Sequence, residues 1–364
     1  MQSLIGQGLG DYLLETELGR GSMGVVYAAH KYQAGADNKQ YAVKVLLDAL
    51  ANDMMFVTRF TREARIIAGL RHPNIIRVYE AGHQGPYLYF VMELFPGTPV
   101  GQILKERGRL PVGQTVEIGA QAADALDYAH REGHLVHRDI KPDNLLVDRW
   151  CRVKMLDFGL ARVEGLQSIT RAGTVVGSLY YVAPEQLLGR PIDSRADIYA
   201  LGVSLYEMAG GQRPYRGQNL TELSRAILAG TATPLSQIEP SVSPAIEQVI
   251  ARAMARDPGQ RYQTAGEMRD DLRALQTAPV APDGSPAGAH YTPPRLAGAP
   301  ETTPLGGHHA DGGWHPPEGA GVPKPAPQGP FRRTTLRPLD PHAWEDEPAE
   351  QQQPVRTYPP RRGG

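Results

Sequence analysis

Cysteine is almost absent from this 364-residue chain, whose only thiol is Cys151. A lone cysteine excludes an internal disulfide and an all-cysteine metal site, and it is typical of a reducing compartment. A charge excess is also missing, because 38 basic residues oppose 39 acidic ones. Binding nucleic acid or anionic membranes by general electrostatics requires a basic excess, so we expect neither class of partner.

Long apolar runs are missing as well. The chain has no stretch of 18 consecutive apolar residues, so we expect no membrane span. Its first residues, MQSLIGQGLGDYLL, lack a basic region followed by an apolar one, so we expect no secretory signal. With 41% hydrophobic and 21% charged residues, the composition predicts a globular cytoplasmic protein.

The composition changes near residue 278. Of the 32 prolines, 13 lie in residues 1–277 and 19 in residues 278–364, where only eight Val, Leu, Ile and Phe occur. So few apolar groups cannot offset the entropy lost on ordering the backbone. Residues 278–364 are therefore predicted to be a disordered Pro/Gly/Ala-rich tail.

Local patterns in residues 1–277 predict strands first and helices afterwards. The predicted strands are Tyr12–Glu17, Val25–Ala29, Gln40–Leu47, Ile75–Tyr79 and Tyr87–Glu93. The predicted helices are Phe56–Leu70, Val116–Arg131, Asp197–Ala209, Leu220–Ala229, Ala245–Arg256 and Ala265–Leu275. This order predicts an α+β fold in which a small β-rich lobe precedes a larger helical one, with a ligand cleft between them.

Residues 19–26 read GRGSMGVV and match GxGxxGxV. Alone this pattern is weak, because a plain glycine-rich turn explains it. The β-branched residues after the third glycine favour a hairpin over the helix of a dinucleotide fold, and the Walker pattern is absent. A glycine hairpin lets backbone N–H groups approach phosphates. Lys44 in the next predicted strand would be their cation, and Glu63 on the following helix could pair with it.

Three further motifs follow in order. Residues 137–144 read HRDIKPDN, residues 157–159 read DFG, and residues 183–185 read APE. With the stretches RFTREARIIAGLRHPNIIRVYEAG and SRADIYALGVSLYEMAGGQRPY, they make the chain resemble the eukaryotic-like (Hanks-type) serine/threonine protein kinases of bacteria. This resemblance implies a bilobal kinase domain over residues 12–275, with an N-lobe of about 12–95 and a C-lobe of about 96–275.

The resemblance also implies roles for individual residues. ATP and Mg²⁺, with Mn²⁺ as an alternative ion, would be the cofactors, and Asn144 and Asp157 would bind the metal. Catalysis would use Asp139, Lys141, Asn144, Lys44 and Glu63. ATP would contact Leu18, Gly19, Arg20, Gly21, Ser22, Met23, Gly24, Val25, Val26, Ala42, Lys44, Glu93, Phe95 and Leu146. For Leu18, Val26, Ala42 and Leu146, which would sandwich the purine, the alternative is plain core packing, and both roles can hold at once.

Further implied roles concern the interior of the fold. Asp197 would anchor a regulatory spine made of Ile67, Val78, His137 and Phe158. In the large lobe, Glu185 and Arg261 would form a structural ion pair.

Regulation and partners form a separate set of expectations. Thr170, Thr174 and then Ser168 are the candidate phosphorylation sites of the activation segment; the alternative is that these hydroxyls merely suit a flexible polar loop. Autophosphorylation there would suit a homodimer. Protein substrates are the expected partners, and Thr334 and Thr335 could bind phosphothreonine-reading domains.

Two other functions compete with an active protein kinase. One is a pseudokinase scaffold, whose usual mark is loss of Lys44, Asp139 or Asp157, and all three are present. The other is a small-molecule kinase acting on aminoglycosides or choline, against which the APE motif and the activation segment argue.

Overall fold

The computed structural model describes residues 3–21, 24–32, 39–46, 54–158 and 177–277, without the side chains of residues 54–57, 59, 61–63 and 277. The predicted tail, residues 278–364, therefore lies outside the described residues. The first part of the molecule is a six-stranded antiparallel sheet with strand order β1-β2-β3-β4-β6-β5. Its strands are β1 Gly8–Leu9, β2 Tyr12–Gly21, β3 Gly24–Lys31, β4 Gln40–Leu46, β5 Val78–Gln84 and β6 Tyr87–Glu93. The helix α1, Met54–Gly69, follows β4 and packs against β5.

Strand alternation decides which face of β4 meets the rest of the protein. Tyr41, Val43 and Val45 enter a small core on one face of the sheet, where Tyr12, Tyr27 and Tyr89 also lie. Ala42 belongs to the main core on the opposite face. Because side chains of a strand alternate with period two, Lys44 shares the face of Ala42. The sheet therefore directs Lys44 towards the helical part of the molecule.

The glycine-rich turn is tightly packed only at its end. A Cβ atom on Gly24 would overlap the carbonyl oxygen of Val45 on the neighbouring strand, so glycine is required there. Cβ atoms on Gly19 or Gly21 would meet no described atom within 4 Å. No described protein contact therefore explains these two glycines.

Helices build the second part of the molecule around a small sheet of β7 (Thr98–Pro99), β8 (Leu145–Val147) and β9 (Val153–Met155). The helices are α2 Val100–Arg107, α3 Val112–Gly133, α4 Pro184–Leu187, α5 Arg195–Gly210, α6 Leu220–Ala229, α7 Leu235–Ile238, α8 Pro244–Ala253 and α9 Ala265–Thr277. The residues of α5 are buried on nearly all sides of the helix, as expected for a central helix. It packs against α3 and α8, and α9 packs against α3.

The α+β class with a β-rich lobe before a helical one is confirmed, but some elements differ from expectation. The strand predicted over Ile75–Tyr79 is wrong for its first half, because β5 begins at Val78 and Ile75 forms only an isolated bridge to Met155. Burial of Ile75 in the main core explains its apolar pattern without a strand. The helix α2 is not predicted by the pattern, since its sequence VGQILKER is short and mostly polar.

Thr264 and Glu267, whose spacing is that of a capping box, form only half of one at the start of α9. The Glu267 backbone N–H donates to Thr264 Oγ1 at 3.2 Å, as a capping box requires. The Glu267 carboxylate, however, accepts from the backbone N–H of Gln263, also at 3.2 Å, rather than from Thr264.

A buried ion pair joins the APE motif to the segment before α9. Arg261 is 1% exposed, and its two terminal nitrogens each lie 2.8 Å from an oxygen of Glu185. The same guanidinium donates to the backbone carbonyls of Ala255, Arg195 and Arg256. Every charged atom of the pair thus has a partner, as a buried ion pair requires.

None of the described helices combines the length and apolar character needed to span a bilayer.

Candidate active site

The loop between α3 and β8 carries the residues expected to be catalytic. Lys141 Nζ donates to Asp139 Oδ2 at 2.7 Å and to Ser178 Oγ at 2.7 Å. Asn144 Nδ2 donates to the main-chain oxygen of Asp139 at 2.7 Å and to its Oδ2 at 2.9 Å. Both side chains thus hold the same carboxylate oxygen. Among the described residues, none donates to Asp139 Oδ1, which is left as a proton acceptor.

Asp197 on α5 anchors the backbone of this loop. Its carboxylate accepts the backbone N–H groups of His137 at 2.6 Å and of Arg138 at 2.8 Å. Arg138 has a φ of 69°, a left-handed conformation that side chains rarely adopt, so the two hydrogen bonds compensate a strained turn. Burial raises the pKa of Asp197, and the hydrogen bonds and the nearby His137 offset this only in part.

Lys44 and Asp157 form a close ion pair between the two parts of the molecule. Lys44 Nζ lies 2.6 Å from Asp157 Oδ2, and Lys44 is only 7% exposed. Burial alone would raise the pKa of Asp157, but the Lys44 ammonium, with His137 and Lys141, outweighs it and holds the pKa below its ordinary value. The Asp157 carboxylate is therefore anionic and can bind a divalent cation.

The hairpin of β8 and β9 brings the two expected metal ligands to one end. Leu145–Val147 pairs with Val153–Met155, so Asn144 lies opposite Leu156, and Asp157 is the next residue. The backbone N–H of Leu156 donates to the carbonyl oxygen of Asn144 at 2.9 Å, which closes this end. An amide and a carboxylate oxygen suit a hard divalent ion.

The buried residues expected to form a spine are all in the interior. His137 and Phe158 have ring centroids 4.5 Å apart, and the His137 ring nitrogen Nε2 lies 2.7 Å from the Leu156 oxygen. Ile67 and Val78 lie in the same main core as Phe158. The DFG segment is thus fastened to the catalytic loop by ring packing and a hydrogen bond.

The expected adenine-binding strip is partly present at the end of β6. The Glu93 carboxylate accepts from Lys154 Nζ at 2.6 Å and from the Arg77 backbone N–H at 2.8 Å, so it is occupied by protein groups. Ala42 is buried and Leu18 is 49% exposed. The half-buried members of the strip are Val26, Phe95 and Leu146.

Several expected site residues lie outside the described part of the chain. The structure describes Lys44 with Asp157, whereas the predicted partner Glu63 has no described side chain, so that pairing stays a prediction. The other undescribed members are Ser22, Met23, Ser168, Thr170 and Thr174.

Sequence reasoning missed Lys154. Its Nζ bridges Glu93 at the end of β6 and the carbonyl oxygen of Ile75, and it is largely buried. A lysine between Val153 and Met155, in a strand of apolar residues, was the available signal. This residue fixes the carboxylate beside the expected adenine strip.

Comparison with known proteins agrees with this architecture. Residues 12–271 match the family described as protein kinase domain. The chain is 38% identical over 278 residues to the serine/threonine-protein kinase PknB of Mycobacterium leprae, covering 74% of this chain and 44% of that protein. It is 35% identical over 271 residues to the serine/threonine-protein kinase PrkC of Bacillus subtilis, covering 74% and 41%.

Solved structures give the same result. The PknI kinase domain of Mycobacterium tuberculosis matches with a TM-score of 0.59 and 30% identity, covering 75% of this chain and 99% of that one. The chain spans about two fifths of the length of the curated relatives it matches. The family match over residues 12–271 agrees with the fold and site geometry of the described residues, and the chain therefore belongs to the protein kinase domain family.

Proposed function

We propose that this chain is an active ATP-dependent serine/threonine protein kinase. The observation that carries the proposal is the Asp139 carboxylate, which Lys141 and Asn144 hold by one oxygen while no described residue donates to the other. A pseudokinase has no need of this arrangement. The serine/threonine kinases PknB and PrkC, which resemble the chain over its kinase region, also support it.

The chemistry follows from the position of that second oxygen. Asp139 Oδ1 would accept the proton of a substrate hydroxyl group. As the hydroxyl oxygen forms a bond to the γ-phosphorus, the bond from the γ-phosphorus to the bridging oxygen breaks, and ADP is the leaving group. The transition state of phosphoryl transfer is loose and highly charged, so positioning and charge neutralisation are the main tasks of the protein. Lys141 and Lys44 would supply positive charge to the phosphates. A lysine at position 141 also favours serine and threonine substrates by the family resemblance.

A divalent metal fits the residues present. Asp157 and Asn144 provide two hard oxygen donors. The described part of the chain contains no cluster of three or more His, Cys, Asp or Glu residues that could bind a metal by itself. A two-residue protein site suits Mg²⁺, which fills its remaining positions with phosphate oxygens and water, and Mn²⁺ could take its place. When bound, the ion neutralises phosphate charge. The open space at Gly19 and Gly21 supports the approach of phosphates to the backbone there.

A radiolabelled-ATP assay tests the proposal against both rival functions. The full-length chain should label a generic protein substrate, and an Asp139→Asn variant should not. Labelling of aminoglycoside or choline without protein labelling would indicate a small-molecule kinase. No labelling by wild type although nucleotide binds would indicate a scaffold. Equal labelling by wild type and Asp139→Asn would refute the role of Asp139.

Lys44→Met should lower the turnover number about 100-fold, while the KM for ATP changes much less. The reason is that Lys44 supplies a buried positive charge whose interaction strengthens as charge develops on the phosphates. Steady-state kinetics with varied ATP measures both constants. Lys105→Met is the matched control, because that lysine is 79% exposed on α2. Near-normal turnover in a folded Lys44→Met protein would refute the role of Lys44.

Activation by autophosphorylation is a second part of the proposal. A phosphate on Thr170 or Thr174 would add a charge of about −1.5 to −2 that pairs with Arg138, next to Asp139. The Nε atom of Arg138 is buried and has no hydrogen-bond partner among the described residues, which supports an additional ligand for this guanidinium.

Thr170→Ala/Thr174→Ala should reduce activity roughly tenfold, and phosphatase treatment should reduce wild type to the same level. Peptide mapping by mass spectrometry before and after treatment identifies the modified residues, including Ser168. Thr302→Ala/Thr303→Ala, in the tail, is the control and should leave activity unchanged. A fully active preparation without phosphate on the segment would rule out this mechanism.

Partners and location complete the proposal. We infer protein substrates, a homodimer for autophosphorylation in trans, and recognition of phosphorylated Thr334 or Thr335 by phosphothreonine-reading domains. The two arginines before Thr334 support a basic recognition motif. A cytoplasmic location is inferred from the single cysteine and from the need for ATP.

A further inference from the structure

A tryptophan that has no role in the proposed phosphoryl transfer stands exposed at the turn between β8 and β9. Trp150 is 60% exposed. The guanidinium carbon of Arg149 lies 3.9 Å from its ring centroid, and that of Arg152 lies 4.9 Å from it. We call these three residues the Trp150 patch. Tryptophan and arginine are both enriched at protein interfaces, so an exposed tryptophan beside two arginines is a candidate contact surface.

The turn that carries the patch is rigid. The buried carboxylate of Asp148 accepts the backbone N–H groups of Trp150 and Arg152, each at 2.9 Å, and the Arg152 Nε at 2.7 Å. The backbone of the turn and the Arg152 side chain are therefore held in place before any partner binds. Such preorganisation lowers the entropic cost of binding.

The chemistry of the patch indicates an acidic partner. Tryptophan and arginine are the residue types most enriched among those that dominate binding energy. Within the described ranges no ion pair involves Arg149, whereas Arg152 is paired with Asp148. An exposed arginine beside an exposed indole therefore matches a segment that carries carboxylates and an aromatic or apolar side chain.

The chain leaves the kinase domain beside this patch. The last helix, α9, ends at Thr277, and Gln276 Nε2 donates to Glu117 Oε2 at 2.6 Å. The other oxygen of Glu117 accepts from Gln121, whose amide also donates to the carbonyl oxygen of Cys151 at 2.8 Å. Three consecutive side-chain hydrogen bonds thus link the end of α9 to the turn of the patch.

The residues beyond α9 contain one segment with the required chemistry. Residues 340–350 read DPHAWEDEPAE and hold five acidic residues, one tryptophan and no lysine or arginine. Only four other acidic residues occur between positions 278 and 364. If residues 278–339 form the coil that their composition predicts, their root-mean-square span is on the order of 45 Å. That span reaches a patch next to Thr277 and gives a local concentration in the millimolar range.

We propose that residues 340–350 dock on the Trp150 patch of the same chain, with carboxylates of Glu345, Asp346 and Glu347 facing Arg149. The contact goes beyond the proposed phosphoryl transfer and needs no nucleotide. Its site is the outer end of the β8–β9 hairpin, whose inner end carries Asn144 and Asp157. The tail would thereby be held at the end of the hairpin that is opposite the active site.

Hydrogen exchange of the full-length chain, with millisecond labelling and detection by mass spectrometry, tests the contact. Amides of residues 344–350 should exchange about threefold more slowly in wild type than in Arg149→Glu, as for a segment docked about two thirds of the time. Arg225→Glu, an exposed arginine on α6, makes the same charge change elsewhere and should leave the wild-type rate unchanged. Arg152 is left intact because its contact with Asp148 holds the turn.

The reverse substitution provides a second readout. Glu345→Lys/Asp346→Lys/Glu347→Lys should accelerate exchange of residues 148–153, whereas Glu301→Lys/Asp311→Lys/Glu318→Lys, with the same net change, should not. Equal exchange in each test variant and its control would overturn the proposal. So would protection that disappears on tenfold dilution of the protein, since that result assigns the contact to a second copy. Because catalytic residues are untouched, kinase activity can fail or persist independently of this outcome.

Discussion

Asp157→Ala should lower the rate of phosphoryl transfer on the order of 1,000-fold or more. The substitution removes one of the two oxygen donors that the site offers a divalent ion, and it leaves the buried Lys44 without its partner at 2.6 Å. Phosphate charge would then go largely unneutralised in the transition state. Transfer of radiolabelled phosphate to a protein substrate, measured across a Mg²⁺ titration, checks the result. Excess EDTA should abolish the wild-type signal in the same assay.

Asp143→Ala is the matched control for this experiment. Asp143 lies next to Asn144 in the same loop, but its carboxylate is exposed, and the nearest cation in the described structure is Lys105 at 3.9 Å. Its loss should leave transfer within about twofold of wild type, because an exposed pair contributes little. A metal role for Asp157 would be contradicted by substantial transfer in Asp157→Ala, or by wild-type transfer that persists in EDTA.

Arg261→Ala should destabilise the kinase domain by about 3–5 kcal/mol. The substitution leaves the Glu185 carboxylate buried without its guanidinium and removes donors from three backbone carbonyls. A buried charge without a partner raises the free energy of the folded state, because it has lost its hydration and gained no compensating contact. Equilibrium unfolding of the full-length chain in urea, monitored by circular dichroism, measures the loss.

Two controls separate buried charge from a general effect of losing arginine. Arg195→Ala removes a more exposed arginine that pairs with Asp193, and it should cost at most about 1 kcal/mol. Arg261→Met/Glu185→Leu should be less destabilised than Arg261→Ala, because no lone charge stays buried. If Arg261→Ala unfolds at the wild-type urea concentration, the pair contributes nothing to stability.

Much of the fold was predictable from local patterns. β4 and β6 are buried on both faces, and their β-branched and aromatic residues predict strands. The apolar spacing along α3 and α6 follows from one face of each helix that packs on the core. The agreement for Leu220–Ala229 at both ends has a local cause, since Asn219 caps its start and Gly230 ends it in a left-handed conformation. Ile75 misled the prediction because an apolar residue in a buried loop has the same pattern as one in a strand.

Sequence alone determined which residue types are available for chemistry, because HRDIKPDN, DFG and APE occur in order and each supplies groups that phosphoryl transfer needs. Tertiary structure decided which of these groups meet. Lys44 lies 2.6 Å from Asp157 although the two are 113 positions apart. Lys154, on the small sheet, donates to Glu93, on the six-stranded sheet. Likewise, only the packing of α9 on α3 brings the end of the kinase domain to Trp150. Local propensity acts over a few residues, whereas these contacts depend on how the whole chain buries its apolar surface.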